Sequence, residues 1–340
     1  MSRYAERYDI RLAKYDEIPQ IMAFIENYWK KDHILARDRG FFEYEFLEED
    51  GTVNVLIAID RKKHTIEAMQ GILKASRDRS HLDIWGSCWK VLPGNLPMLG
   101  FEVWKQCTIQ TGARYQLGMG ANPKTARKVL ERMLRTKAIK MKHHYILNDL
   151  KEDFQIARIV NKEKKYKINE PQFLVERIYN KEQFLNYYAD IDNPETVPYK
   201  DAWYLTKKYF HHPIYHYEVY RISNKGKTYS FFAIRLQEYG ENKAARMVEF
   251  VGDSEAIAYT GNFFINYLEE KNCEYIDFYN YGFKEQSLSS AGFVERMEDD
   301  ANIIPNYFHP FVQENIDIWI LQPLEGAIYC KADGDQDRPG

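Results

Sequence analysis

One stretch of sequence constrains the fold more than any other: an apolar strand pattern that runs into a loop rich in proline and glycine. His81 to Val91 reads HLDIWGSCWKV, Leu92 to Gly100 reads LPGNLPMLG, and a helical pattern extends from about Pro97 to Thr111. The first amides of such a helix have no carbonyl partner within it, and the helix dipole is positive at that end. A strand, a loop and a helix start in this order are therefore typical of an anion-binding site. An ordinary strand-to-helix connection without a ligand has the same pattern.

The order of predicted elements recurs along the 340-residue chain. From Tyr8 to Leu147 the patterns predict a strand, two helices, three strands, a helix, a strand, a helix and a strand. From Phe173 to Leu321 they predict the same series, and residues 150 to 170, rich in Lys, Glu and Asp, would join the two halves. We therefore predict a mixed α/β fold in two tandem domains, 1–152 and 170–330, followed by a C-terminal tail at 331–340.

Composition excludes several classes of protein. The net charge of −3, from 47 basic and 50 acidic residues, argues against nucleic acid as a partner. The sequence has no CxxC pair, which argues against zinc, and we predict no metal site. The charged start of the chain and the lack of an 18-residue apolar run predict neither a secretory signal nor a membrane span. We therefore expect a cytoplasmic protein with four reduced cysteines, Cys88, Cys107, Cys273 and Cys330.

These features together resemble the GNAT superfamily of acyltransferases, in which a mixed sheet is splayed between its fourth and fifth strands and acyl-CoA lies in the gap. The family loop usually reads V-x-P, then Q/R-x-x-G-x-G/A. Val91 and Pro93 match, Gly100 lies within one position of the expected glycine, and Leu96 replaces the usual Gln or Arg. The resemblance implies that the first domain binds acyl-CoA through Val91, Leu92, Gly94, Asn95, Leu96, Met98, Leu99, Gly100, Asn122 and Lys124.

The resemblance also guides the assignment of catalytic groups. A backbone amide of the fourth strand usually polarises the thioester carbonyl, and Leu92 is the candidate. The tyrosine that protonates the CoA thiolate in many members is Leu130 in the first half and Leu288 in the second. His33 is a candidate base, with local capping of the backbone as the alternative. His143 and His144 are adjacent on a predicted strand, so at most one faces a cleft, and a structural role is expected for both.

The second half carries acidic residues where the first has its phosphate loop. Its equivalent segment is Val251 to Glu255, with carboxylates at Asp253 and Glu255. These charges favour a helix start but repel phosphate. We therefore assign acyl-CoA to the first half and predict that the second half is a degenerate copy that shapes the acceptor site.

A narrower resemblance concerns the acceptor. Trp29 to Tyr44, WKKDHILARDRGFFEY, and the C-terminal KADGDQDRPG are similar to GNAT-type enzymes of bacterial surface-polysaccharide pathways, which acylate a nucleotide-linked amino sugar, commonly dTDP-linked. This similarity implies that the acceptor contacts the loop between the first two helices and the edge of a late strand. Tail carboxylates would also hold it, unless the tail is a solvated end. The implied acceptor residues are Asp32, His33, Arg37, Tyr279, Asn280, Tyr281, Asp333 and Asp335.

The sequence therefore predicts an N-acyltransferase in which the amine of a nucleotide-linked amino sugar attacks acyl-CoA directly in a ternary complex. Two other functions stay open. One is a tandem GNAT enzyme that acts on an amino acid, a peptide or an aminoacyl-tRNA. The other is a binding module without catalysis, which the missing tyrosine in both halves favours.

Overall fold

The computed structural model describes residues 2–120, 126–135, 137–162, 168–321 and 324–340. The chain forms two compact units: unit 1 comprises Met1–Met119 with Pro339–Gly340, and unit 2 comprises Gly120–Arg338. Among the helices in these ranges, none has the length and apolar composition needed to cross a bilayer.

Unit 1 contributes five strands of a β-sheet, with helices packed on both faces. Its elements are α1 (Arg3–Arg7), β1 (Tyr8–Lys14), α2 (Ile18–Phe24), α3 (Ile34–Arg37), α4 (Arg39–Phe46), β2 (Thr52–Asp60), β3 (Ile66–Lys74), β4 (Asp83–Val91), α5 (Leu99–Thr111) and β5 (Tyr115–Met119). The strands lie in the order β1-β2-β3-β4-β5. Neighbours are antiparallel up to β4, whereas β4 and β5 are parallel because α5 carries the chain back between them.

Alternation along the strands divides the core of unit 1 into two layers. Leu56 and Ile57 are consecutive residues of β2 and point to opposite faces of the sheet. Leu56 packs with Val103 of α5, and Ile57 packs with Phe42 of α4. The helix α2 ends at Phe24, and a π-helical turn, Ile25–Trp29, follows it.

Unit 2 is built around a longer sheet. Its elements are α6 (Ala126–Leu134), β6 (Ile139–Lys140), β7 (Lys142–Leu147), β8 (Leu174–Ile178), α7 (Lys181–Tyr188), α8 (Ala202–Phe210), β9 (Glu218–Asn224), β10 (Lys227–Tyr239), β11 (Asn242–Gly252), α9 (Phe263–Lys271), β12 (Cys273–Tyr281), α10 (Glu285–Ser290), β13 (Val294–Glu295), β14 (Tyr307–Phe308), β15 (Phe311–Val312), β16 (Trp319–Leu321) and β17 (Tyr329–Cys330). The strand order is β13-β7-β12-β11-β10-β9-β8, and β17 also pairs with β12. Of these pairs, β11 and β12 are parallel.

The strand β7 is not where the sequence placed it. We expected Met141 to Leu147 to close the first domain, but β7 pairs antiparallel with β12, from Lys142 opposite Asn280 to Leu147 opposite Tyr275. The compact units accordingly divide after Met119, rather than near residue 152. The apolar alternation identified the strand, but it carries no information about which sheet completes the strand's hydrogen bonds.

The C-terminal tail is part of the fold and not a solvated end. Lys331 is 3% exposed, Asp333 is fully buried and Asp337 is 5% exposed. The tail up to Arg338 packs within unit 2, and its last two residues belong to unit 1.

Candidate functional site

The loop between β4 and α5 is held in one shape by side chains beneath it. The hydroxyl of Tyr8 donates to Asn95 Oδ1 at 2.9 Å and accepts from the amide of Leu96 at 3.1 Å. Asn95 Nδ2 donates to Glu67 Oε2 at 2.8 Å and to the Leu92 carbonyl at 3.0 Å. The side chain of Asn95, expected to contact the cofactor, instead braces the loop.

The start of α5 offers backbone amides without a side-chain cap. Met98 precedes the helix with a φ of 66°, and no side chain of a described residue caps it. Gly100 and Phe101 lie in the first turn of α5. Their amides therefore have no carbonyl acceptor within the helix. A Cβ on Gly100 would lie 2.9 Å from Val91 Cγ2, so only glycine lets the helix approach β4 this closely. This end of the 13-residue helix has the backbone geometry of an anion site.

The strands on either side of this helix separate along their length. β4 and β5 pair at three positions, the last being Trp85 opposite Leu117. From Gly86 to Val91, β4 has no registered partner in β5. A bulge against β3 also lies in this stretch, where Cys88 has a φ of 48°. Unit 1 therefore has a splayed pair of strands beside the α5 start, as the sequence predicted.

The amide of Leu92 does not face this gap. It donates to the Glu67 carbonyl of β3 at 2.9 Å. The assignment of Leu92 as the group that polarises a thioester is therefore wrong, because its hydrogen goes to the neighbouring strand. The side chains of Val91, Leu96 and Leu99 pack in the core of unit 1, so they would meet a ligand through their backbone alone.

The loop after the π-helical turn brings the three acceptor candidates of unit 1 together. Arg37 Nη1 donates to the Asp32 carbonyl at 2.9 Å, and its Nη2 donates to the carbonyl of Gly340 at 2.9 Å. His33 caps α3, because its Nδ1 accepts from the amide of Leu35 at 3.2 Å. The residue is 6% exposed. His33 thus has the capping role that was the alternative to catalysis.

Two further cofactor candidates, Asn122 and Lys124, lie outside the described residues. The side chain of Leu130, at the position of the missing tyrosine, is buried within unit 2.

In unit 2, the chain itself fills the corresponding gap between parallel strands. β11 and β12 pair up to Met247 opposite Phe278, and β17 lies beyond that point. Cys330 of β17 pairs with Asn280 of β12, while the amide of Ala332 donates to the Val248 carbonyl of β11 at 2.8 Å. A ligand that added itself between these strands would have to displace β17.

The expected sugar-binding edge of β12 is mostly core. Tyr279 and Asn280 are fully buried, which contradicts their assignment to the acceptor. Tyr279 stacks on His143 with ring centroids 3.8 Å apart, and Asn280 Nδ2 lies 2.9 Å from His144 Nδ1. Tyr281 stacks on Tyr329 of β17. The neighbouring strands β7 and β17 therefore occupy an edge that was expected to face solvent.

Both adjacent histidines of β7 are structural, as the sequence predicted. His143 Nε2 lies 3.0 Å from Asp277 Oδ2, and burial lowers the pKa of His143 to about 4. His144 Nε2 lies 2.9 Å from Glu285 Oε2. His144, Glu285 and Glu295 place possible metal ligands within 4.8 Å of one another, but the Lys142 ammonium already lies 2.7 Å from Glu295 Oε2.

The tail carboxylate Asp333 folds back and binds an ammonium, but that ammonium belongs to the protein. Lys200 Nζ lies 2.6 Å from Asp333 Oδ1 and donates to Glu249 Oε1 at 2.6 Å. Burial raises the pKa of Asp333 to about 6, although Lys200 opposes this shift. Asp333 is therefore an internal counter-ion and not a substrate ligand. Asp335 lies 3.3 Å from Arg338, in a local ion pair.

Sequence reasoning missed the buried charges of unit 2. Arg235 interrupts the apolar strand β10, and Arg246 and Glu249 interrupt β11. The sequence did contain a signal for these buried charges, namely a charged residue within a strand that is otherwise apolar on both faces. Such a residue must find a partner when the strand is buried.

Comparison with known proteins identifies the fold. No protein-family profile and no curated protein sequence matches the chain. A GCN5-related N-acetyltransferase from Anabaena variabilis superposes with a TM-score of 0.55 at 10% identity, over 92% of this chain and 72% of that one. A probable N-acyltransferase from Enterococcus faecalis has a TM-score of 0.48 at 8% identity, over 79% of this chain and 64% of that one. Saccharomyces cerevisiae N-myristoyltransferase has a TM-score of 0.41 at 6% identity, over 85% and 79%. The Anabaena structure shows that this chain has a mixed α/β fold of GNAT type that extends over both of its halves.

Proposed function

We propose that the protein is an acyl-CoA-dependent N-acyltransferase and that unit 1 binds the acyl-CoA. The difference between the units carries the proposal. In unit 1, β4 and β5 separate next to an uncapped helix start, whereas in unit 2 the strand β17 fills the equivalent gap. The similarity in fold to a protein described as an N-acetyltransferase supports acyl transfer as the chemistry.

In this proposal, backbone groups of unit 1 hold the donor. The amides of Gly100 and Phe101 would bind the CoA diphosphate, with the dipole of α5 favouring its negative charge. The pantetheine arm would lie along β4 beyond Trp85. The bulge at Cys88 changes the direction of the strand there, so the amides of this stretch, and not that of Leu92, are the candidates for polarising the thioester carbonyl.

The acceptor would attack as a neutral amine. Its nitrogen forms a bond to the thioester carbon, the tetrahedral intermediate expels CoA as the thiolate, and the amine proton leaves to water or to that thiolate. We infer that the amine belongs to a nucleotide-linked amino sugar. The similarity of residues 29–44 supports this inference, as does the loop that brings Asp32 and Arg37 within 3.6 Å of each other. The Asp32 side chain is 78% exposed, so it is accessible to a substrate amine.

The release of free thiol tests the function. The full chain is incubated with acetyl-CoA and a panel of dTDP-linked amino sugars, with free amino acids and a peptide as further acceptors. We expect thiol release that depends on an amino sugar. Binding of acetyl-CoA without thiol release for any acceptor would contradict the proposal and favour a binding module.

A further inference from the structure

Unit 2 places a group of buried and half-buried cations next to the C-terminal tail. This group, named here the tail cluster, comprises Lys208 of α8, Arg235 of β10 and Lys331 after β17, together with Asp337. Arg235 Nη2 donates to Asp337 Oδ1 at 2.5 Å. Lys331 Nζ donates to the Gln336 carbonyl, and Lys208 Nζ donates to the Ala332 carbonyl and to the hydroxyl of Tyr204. Although burial raises the pKa of Asp337, the charges of Arg235, Lys331 and Lys208 lower it, so three cations act on one carboxylate.

The surrounding carboxylates are already committed to other cations. Glu249 and Asp333 bind Lys200, and Asp277 forms a two-pronged pair with Arg246. Within the described residues, neither Lys208 nor Lys331 has a carboxylate at ion-pair distance. The two lysines have carbonyl and hydroxyl oxygens as acceptors. Since Glu249 and Asp333 share Lys200, this region of the described chain holds five cations, Lys200, Lys208, Arg235, Arg246 and Lys331, and four carboxylates, an excess of one positive charge.

The titration of neighbouring groups agrees with this excess. Burial and the charge of Arg246 lower the pKa of Lys331 to about 7. Burial also lowers the pKa of Lys208, and burial with the Lys208 charge lowers the pKa of His212 to about 4. In addition, Arg235 Nε is a buried donor with no hydrogen-bond partner, in a residue that is 8% exposed. Such a donor is costly unless a ligand or water accepts from it.

Part of the tail cluster is accessible to solvent. Lys208, His212 and Tyr217 are each half-buried, so the tail cluster has a rim and is not sealed in the core. The guanidinium carbon of Arg235 lies 3.9 Å from the centre of the Tyr215 ring, and the Tyr217 hydroxyl donates to Asp337 Oδ2 at 2.9 Å. These contacts fix the direction of Arg235, which a preorganised binding site requires.

We propose that Lys208, Arg235 and Lys331 form a binding site for an anionic group, phosphate or carboxylate, of the acceptor substrate. An anion placed among them supplies the missing negative charge and accepts from both ammonium groups and from Arg235 Nε. This role rests on the proposed acyl transfer, because it takes the anion to be part of the acceptor of that reaction. The diphosphate of a nucleotide-linked sugar and the carboxylate of an amino acid are the two sources of such a group.

Calorimetric titration of the full chain tests the site. The probes are inorganic pyrophosphate and malonate, used separately, so that phosphate and carboxylate sources are distinguished. The variants are Lys208→Met and Lys331→Met, which leave no new unpaired charge. Lys207→Met is the matched control, since Lys207 lies next in α8 but extends over the ring of Trp203. We expect each tail-cluster variant to weaken the binding of the preferred anion by about tenfold to a hundredfold, and the control to bind as the wild type does.

A second readout separates binding from a structural effect. At pH 8 a bound anion favours the charged form of Lys331, so binding of malonate, which does not titrate there, takes up protons from the buffer. Titrations in two buffers of different ionisation enthalpy measure this uptake, and Lys331→Met should abolish it. Thermal unfolding of each variant confirms that it is folded, and the half-buried Lys208 provides a variant with little risk to the core.

The two units are tested independently. Pyrophosphate could also bind at the α5 start, so Gly94→Asp in that loop is included. We expect this variant to lose affinity for acetyl-CoA and keep the anion site of unit 2, and Lys208→Met to do the reverse. The inference is overturned if neither anion binds the wild type, or if anion binding survives both lysine substitutions and is lost in Gly94→Asp. Failure of the proposed function has a different signature, which is an intact anion site without thiol release from any acceptor.

Discussion

The backbone amide of Ala332 donates to the carbonyl of Val248 at 2.8 Å, which joins the C-terminal tail to β11 at the point where β11 and β12 separate. In unit 1, β4 and β5 separate after Trp85 and Leu117, and β17 has no registered equivalent among the described residues of this unit. Two halves with the same order of elements thus differ at the place where a GNAT fold is splayed. This difference supports the proposal that unit 1 binds the acyl-CoA.

Charge added to the loop of unit 1 should weaken donor binding. Gly94 has a φ of 78°, and no atom lies within 4 Å of the place that a Cβ would take, so Gly94→Asp adds a carboxylate without a clash. Repulsion of the CoA phosphates at a helix start should cost ~0.5–2 kcal/mol, or about twofold to thirtyfold in affinity. Gly51→Asp is the matched control, since Gly51 has a φ of 82° and equally open surroundings. Calorimetry with acetyl-CoA measures both, and equal affinities would place the donor elsewhere.

Removal of one buried hydroxyl should loosen the same loop. Tyr8→Phe deprives Asn95 Oδ1 of its donor and the Leu96 amide of its acceptor. We expect unfolding free energy to fall by about 1–3 kcal/mol, together with a loss of acetyl-CoA affinity. Tyr4→Phe also removes a hydroxyl bonded to this loop, at the Pro97 carbonyl, but on the exposed side. A change below about 0.5 kcal/mol is expected there. Urea unfolding of both variants provides the comparison, and equal losses would argue against the bracing role of Tyr8.

Lys331 should give stability a specific pH dependence. Its pKa falls from 10.5 in the unfolded chain to about 7 in the fold, so between these values the unfolded state binds more protons. Unfolding free energy therefore rises with pH by up to about 1.4 kcal/mol per unit across this window, and the full penalty applies below pH 7. In Lys331→Met this contribution to the pH dependence of the unfolding free energy disappears. The unfolding free energy of the variant should therefore exceed that of the wild type most at low pH, and the difference should shrink toward pH 10. Urea unfolding at several pH values measures it, and a constant difference would contradict the prediction.

The buried pair of Asp277 and Arg246 should be far more sensitive than a surface pair. Asp277 accepts from Arg246 Nε at 2.8 Å and from Nη2 at 2.7 Å, and both side chains are at most 2% exposed. Asp277→Asn leaves the guanidinium without a counter-ion in the core, at a cost of about 3–5 kcal/mol. Glu176→Gln removes a similar partner from Arg221, but the Glu176 side chain is 39% exposed, so a cost below about 1 kcal/mol is expected. Similar losses in the two variants would show that burial does not decide the cost.

Features that depend on neighbouring residues were predictable from the sequence. The strand, loop and helix from Asp83 to Thr111 follow from apolar periodicity and from Pro and Gly, which act on the backbone within a few residues. The structure moves the helix start to Leu99 because Met98 adopts a left-handed conformation. The local sequence also allowed the prediction that His33 caps a helix. The side chain of a residue that precedes a helix commonly accepts a hydrogen bond from one of the first helical amides.

The partner of each strand and charge was decided by tertiary structure. β7 has the pattern of a strand in any sheet, and only folding pairs it with β12, more than a hundred residues away. Tyr279 and Asn280 are buried against the histidines of β7, and Asp337 meets Arg235 across 102 positions of sequence. Backbone conformation is set by short-range sterics and hydrogen bonds, so the sequence by itself determined the elements and their order. Register, burial and ion pairing depend on which distant segments meet in space, so only the tertiary structure decided which gap is filled and where positive charge accumulates.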